Sequence, residues 1–332
     1  MLAGIKYSIR QWTGLNAWKW RHLPKGLYCF NYHRIGDPSA TQFDPNVFSC
    51  TEHRFDEHIR FCKEHFTVIN IGDLITLINE RKPLRDHVAL ITFDDGYFDN
   101  YELAFPILKS HHCPAVFFIA SDYVGGKVIP WWDEIAWMVN NTEMDEVALP
   151  GMREPTSLKG ENRRLAIRRV LNLVKSDVSR TIDEKLAILR DALCCEYSTN
   201  GSRAHLFMNW EQVVEMCGEG MDIGSHTVSH RILSHLDEAD QQHEVSKSKQ
   251  LIEARIGSAV EAFAYPVGGF NSFNDTTRRL LEQHQYKVSF TFVSGVNVSP
   301  WEYRYQLFRF PVTENSGIPQ LKYLISHPPN KR

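Results

Sequence analysis

Nowhere in the 332 residues does an apolar run approach the ~20 that a membrane-spanning helix requires. Seven cysteines are present, but none forms a C-x-x-C pair. The usual zinc-ribbon and dithiol redox patterns are therefore excluded. Their number is odd, their spacing is irregular and several sit inside apolar runs, which reads as reduced thiols and a cytoplasmic setting. Net charge is only −3, so no global electrostatic case exists for nucleic acid. No repeat or low-complexity stretch occurs, and 43% hydrophobic with 12% aromatic residues leave ample material for a packed core.

The first 36 residues lack acidic side chains, while Lys6, Arg10, Lys19, Arg21, Lys25 and Arg34 are basic. Ile5, Ile9, Trp12 and Leu15 follow helical spacing, although Gly4 and Gly14 weaken a helix. Residues 1–26 show no signal-peptide organisation. They read as a basic amphipathic segment that can touch the inner face of an anionic membrane. The alternative is a helix packed on the domain.

What the chain does contain centres on Val88-Ala89-Leu90-Ile91-Thr92-Phe93-Asp94-Asp95-Gly96-Tyr97. An apolar run of this length predicts a strand buried on both faces. It ends at two adjacent carboxylates, which repel each other and lose solvation on burial. A cation bound by one, with the other kept as a base, removes both objections. His226 and His230, in Gly224-Ser225-His226-Thr227-Val228-Ser229-His230, are the natural further ligands. Their spacing of four places them on one face if the segment is helical. Two imidazoles and one carboxylate suit zinc and leave positions open for water and substrate. Either signal alone also occurs as a helix cap or a structural pair; together they are far more specific.

On these residues the sequence resembles the polysaccharide deacetylases, metal-dependent carbohydrate esterases that remove N-acetyl groups from amino sugars. Thr92-Phe93-Asp94-Asp95-Gly96 is similar to their first motif and His226-Thr227-Val228-Ser229-His230 to their second. Phe263-Ala264-Tyr265-Pro266-Val267-Gly268 resembles a variant of the third. The resemblance implies an α/β fold, a distorted (β/α)7-type barrel, over residues 27–315. It implies Asp94 as catalytic base, Asp95, His226 and His230 as ligands of a divalent metal, zinc by expectation, and an N-acetylated saccharide as substrate. It further suggests Tyr97, Tyr265, Pro266 and Gly268 as substrate-binding positions, and His33, just past the strand Leu27–Tyr32, as the catalytic acid. The family's usual third-motif arginine is replaced by Ala264; Arg34 is a candidate substitute. The usual late histidine and fourth motif are not evident.

The rest of the chain alternates short apolar strands with amphipathic helices, the pattern of a parallel sheet with its site at the strands' carboxyl ends. Residues 127–205 break that alternation. They read as a helical insertion over one side of the barrel, with Trp131, Trp132 and Trp137 packed in a core. Residues 316–332 read as a C-terminal helix and tail. Rival functions are a same-fold hydrolase of another C–N bond such as an acyclic ureide, a non-haem iron oxygenase, and a carbohydrate-binding protein without catalysis.

Overall fold

A computed structural model describes residues 14–126, 128–160, 162–197 and 206–330. Residues 1–13, with Lys6, Arg10 and Trp12 of the basic segment, lie outside it. The described remainder of that segment forms the helix Leu15–Arg21. Trp20 packs on Phe61 with ring centroids 5.5 Å apart, whereas Trp18 is exposed. Among the described residues no helix is long and apolar enough to cross a membrane.

The described residues form twelve strands: β1 Gly26–Tyr32, β2 Arg34–Ile35, β3 Phe48–Cys50, β4 Thr67–Val68, β5 His87–Asp95, β6 Val116–Ile119, β7 Glu146–Val147, β8 Thr156–Ser157, β9 Asp222–Ser225, β10 Ala262–Ala264, β11 Val288–Phe290 and β12 Phe310–Pro311. Eight form one parallel sheet, in the order β11-β10-β9-β6-β5-β1-β12, with β4 also paired to β5. The segment leading into β12 links the two ends. Leu307 N donates to Ser289 O and Thr291 N donates to Leu307 O, at 2.9 and 2.8 Å, while Phe310 pairs with Phe30 of β1. The expected distorted α/β barrel is therefore the observed architecture, with this late strand as its closure.

Alternation along β5 explains how the barrel is filled. Ala89, Ile91 and Phe93 join the cluster shared with the surrounding helices. Val88 and Leu90 join the inner cluster with Cys29, Phe118 and Phe290. Thr92 and Asp94 continue the inner row toward the carboxyl end. Both faces are thus buried, as parallel sheets require.

The described residues of the insertion include the helices Trp131–Asn141, Asn162–Ser176 and Ile182–Leu193. Ala166, Ile167, Val170, Leu171 and Val174 of the middle helix pack with Trp131, Trp132 and Ile135 of the first. Tyr97 and Phe207 belong to the same cluster. The tryptophans therefore serve mainly as core, and the insertion rests on the barrel's carboxyl-end loops.

Candidate active site

Asp94 and Asp95 leave β5 with opposite tasks. Asp94 continues the inner row and meets Arg309, whose Nη1 and Nη2 each donate to its carboxylate at 2.7 Å. Arg309 is fully buried. Its Nε donates to Thr291 O at 2.8 Å and its Nη1 to Asn31 Oδ1 at 2.9 Å. Asn31 Nδ2 donates in turn to Asp94 Oδ2 at 3.1 Å. Burial alone would push Asp94 up, but the Arg309 guanidinium beside it outweighs that and holds the carboxyl well below the usual range. The carboxylate is thereby kept ionised and fixed in direction.

Asp95 has φ +77°, a left-handed conformation uncommon for a residue with a side chain. Regular alternation would send it to the helix-facing side with Phe93. The turn instead brings Asp95 Oδ1 to 3.5 Å from both His226 Nε2 and His230 Nε2. Gly96 follows with φ +85°, and a Cβ there would meet Ile119 Cγ2 at 3.0 Å. The Asp-Asp-Gly order thus has a steric reason.

The histidines are not on a helix, contrary to the reading from their spacing. Residues 226–230 form a loop after β9, with φ +70° at Thr227 and +55° at His230. Glu244 from the long helix Glu238–Ile256 replaces helical bonding there. Its Oε2 accepts from Val228 N at 2.8 Å and Ser229 N at 2.9 Å, and Oε1 accepts from the Ser229 hydroxyl. Thr227 Oγ1 accepts from His230 N at 2.9 Å. His226 Nδ1 lies 2.7 Å from Ala264 O, a contact that fixes the proton on Nδ1 and leaves the Nε2 lone pair toward Asp95. Trp132 packs on the His230 ring at 4.3 Å. Burial lowers the pKa of both histidines, so both are neutral donors.

These residues fit a divalent metal. One donor atom from each of Asp95, His226 and His230 lies within 4.8 Å of the others, and among the described residues they are the group able to hold one. Asp95 Oδ1, the oxygen facing both histidines, is buried with no hydrogen-bond partner, an arrangement that is costly unless something binds there. Burial, reinforced by Asp94, pushes Asp95 well above the usual carboxylate range, a pressure that a bound cation would relieve.

The remaining candidates divide. His33 lines the same cleft of about 230 Å³ with Asp94, Asp95, His226 and His230. Its carbonyl accepts from Asn100 Nδ2 at 2.7 Å. Asn100 opens a π-helical turn, Asn100–Ala104. Burial lowers the His33 pKa to about 4, against the pull of Asp94. Arg34 does not reach Asp94: its Nε pairs with Asp99 at 2.8 Å and its guanidinium lies over Phe48. Arg309 takes that place. It stands 45 residues after Ala264 in the sequence, and nothing local to the third motif points to it; the signal was an arginine inside the apolar run Leu307–Phe310.

Tyr97 is a correction. It is fully buried and does not line the cleft. Its hydroxyl donates to Asp133 Oδ2 at 2.9 Å and accepts from Trp132 Nε1 at 2.7 Å. It braces the wall behind His230. Tyr265 lines the cleft, but its hydroxyl is committed to Tyr305 O at 2.8 Å. In the following loop Val267 faces the cleft, rather than Pro266 or Gly268. Val267 has φ +63°, a strained conformation for a β-branched residue. Gly268 has φ +66° and packs so closely that a Cβ would lie 2.5 Å from Phe292 N.

The family model described as "Polysaccharide deacetylase" matches residues 81–147 and 194–289. The chain is 21% identical to a putative polysaccharide deacetylase, YxkH, of Bacillus subtilis over 281 residues, covering 84% of this chain and 69% of that protein. It is 27% identical to the poly-beta-1,6-N-acetyl-D-glucosamine N-deacetylase of Escherichia coli K12 over 120 residues, 35% of this chain and 17% of that protein. Among solved structures, the Streptococcus pyogenes deacetylase PplD superposes with a TM-score of 0.59 at 18% identity, covering 91% of this chain and 99% of that one. IcaB from Ammonifex degensii gives 0.57 at 17% identity, covering 92% and 99%.

Proposed function

The chain belongs to the polysaccharide deacetylase family, and from that premise we propose that it hydrolyses N-acetyl groups on amino sugars of a polysaccharide or lipid-linked saccharide, releasing acetate. One observation carries the reading. A carboxylate kept ionised by Arg309 and a set of three neutral or acidic donors line one cleft. A binding protein has no use for the first, and a facial-triad oxygenase has no use for Asp94 beside its ligands.

Asp95, His226 and His230 would hold the cation, with zinc expected. When bound, it supplies Lewis acidity that polarises the acetamide carbonyl and makes water a nucleophile near neutral pH. Asp94 takes the proton from the attacking water, and Arg309 and Asn31 keep its oxygens aimed during that transfer. Pro266 has no N–H, so Val267 is the first residue of its loop able to donate to a developing oxyanion. Breakage of the C–N bond requires a proton on the departing nitrogen, the role given to His33. Its free imidazole is neutral at pH 7, so that proton has to arrive during the reaction. Asp94, the neighbour that favours the charged form of His33, takes a proton in the same cycle. The products are acetate and an amine in equal amounts.

Incubation with N-acetylglucosamine oligosaccharides and, separately, with an acyclic ureide distinguishes the rivals. Equal release of acetate and primary amine from the sugars supports the proposal. Ammonia from the ureide with no acetate from any sugar would replace it with the ureide hydrolase.

A further inference from the structure

The insertion helix Asn162–Ser176 turns two different faces to the rest of the protein. Its apolar residues pack into the insertion core. Arg168, Asn172 and Lys175, spaced by four and three, share another face and line the cleft of the catalytic residues. All three fall within 148–193, the stretch that the family model leaves unmatched between its two matched segments. They lie outside the residues that the family model matches.

Lys175 is the unusual member. It lines one cleft with Asp44 and Asp95; burial lowers its pKa, while those two carboxylates pull it back up. Yet among the described residues it lies within 4.0 Å of no carboxylate and makes no hydrogen bond; its ammonium lies 6.0 Å from the centre of the Trp131 ring. The acids lining the cleft are engaged elsewhere. Asp94 is held by Arg309. Asp44 accepts from Asn46 N at 2.9 Å and Asn46 Nδ2 at 2.7 Å. Asp95 belongs to the donor set for the cation. Trp131 and Lys175 also line an adjoining cavity of about 300 Å³ of mixed charge, with Arg180, Lys185 and Arg231 facing Glu184, Asp237 and Asp240. Lys175 thus stands where a saccharide running from one cavity into the next would pass it.

We propose that Lys175 is the specificity-determining residue of this cleft and binds an anionic group next to the N-acetyl sugar, either a phosphate on its anomeric carbon or a carboxylate on the adjoining saccharide unit. The inference rests on the deacetylase reading and narrows its substrate class. A divalent cation on Asp95 and the histidines would add to the positive character of the cleft, so a neutral glycan would leave Lys175 partly desolvated with no anion in direct contact, Asp44 acting on it only from beyond 4.0 Å. An anionic neighbour supplies one through a charge-assisted hydrogen bond.

Calorimetric titration of the metal-loaded full chain tests this. The three ligands are a neutral N-acetylglucosamine disaccharide, N-acetylglucosamine 1-phosphate, and a disaccharide of N-acetylglucosamine with glucuronic acid. At least one anionic ligand should bind about tenfold or more tightly than the neutral one. That ratio should collapse in Lys175→Met, be largely restored in Lys175→Arg, and shrink as salt rises. A preference for the phosphate ligand alone identifies a phosphate-linked precursor, and a preference for the glucuronate ligand alone an acidic polysaccharide. Equal binding of all three, or an undiminished preference in Lys175→Met, would overturn the proposal. Absence of acetate release from every sugar, with the anion preference intact, would instead remove the deacetylase reading and leave the anion site standing.

Discussion

The floor of the cleft and its insertion wall are built by different rules. The floor is made from ends of parallel strands, and its working groups are interlocked. Arg309, Asn31, Thr92 and Asp94 form one closed hydrogen-bonded set with no exposed member. Strained backbone at Asp95, Thr227, His230 and Val267 is held by neighbours such as Glu244. The wall is a helix packed through its apolar side, with Arg168 and Asn172 exposed. Positions that perform chemistry allow little latitude, because a carboxylate misaimed by an ångström loses its proton transfer. Positions that recognise a substrate can sit on a helix whose outer face changes freely.

That contrast predicts a graded response to mutation. The largest effect is expected for Arg309→Met, which strands a buried carboxylate. Stability should fall by roughly 3–5 kcal/mol in urea unfolding. Adding Asp94→Asn should return part of the loss, because the stranded charge is gone. Additive losses would show that the two groups are not coupled.

Next come the groups around the donor set. His226→Ala should abolish stoichiometric retention of divalent metal. Trp132→Ala, which removes the ring packed on His230, should weaken metal binding by ~10–100-fold, with Trp132→Phe closer to wild type. Competition against a chromophoric chelator reads both. Unchanged affinity in Trp132→Ala would show that Glu244 and the loop hold His230 without the wall.

The smallest effect is expected on the wall's far side. Arg180 pairs with Asp177 at 3.0 Å in a largely exposed position, so Arg180→Ala should change stability by no more than ~1 kcal/mol. A larger loss would mean that the insertion is as interlocked as the floor.

Parts of this organisation were legible in the sequence and parts were not. The apolar run before Asp94 and the strand–helix alternation announced the barrel, because burial on both faces leaves a plain hydrophobic signature. Asp94, Asp95, His226 and His230 stood out because rare residue types clustered at strand ends, and they line one cleft. The conformation of the histidine loop was not legible. A spacing of four suggests a helix, whereas Glu244, a helix residue 14 positions after His230, supplies the bonds that hold a different shape. Arg309 was missed for a similar reason. Its pairing with Asp94 depends on barrel closure, a contact across 215 residues that no local pattern encodes. Tyr97 was misassigned because sequence proximity to Asp95 does not fix the direction of a side chain after a strained turn.

The most direct measurement is acetate release from N-acetylglucosamine oligosaccharides by metal-loaded wild type and by Asp94→Asn, with bound metal quantified in both. The account predicts release by the wild type, a fall of about 10²–10⁴-fold in the variant, and undiminished metal content. Activity within tenfold of wild type in Asp94→Asn, with metal still bound, would contradict the assignment of Asp94 as the base on which the mechanism depends.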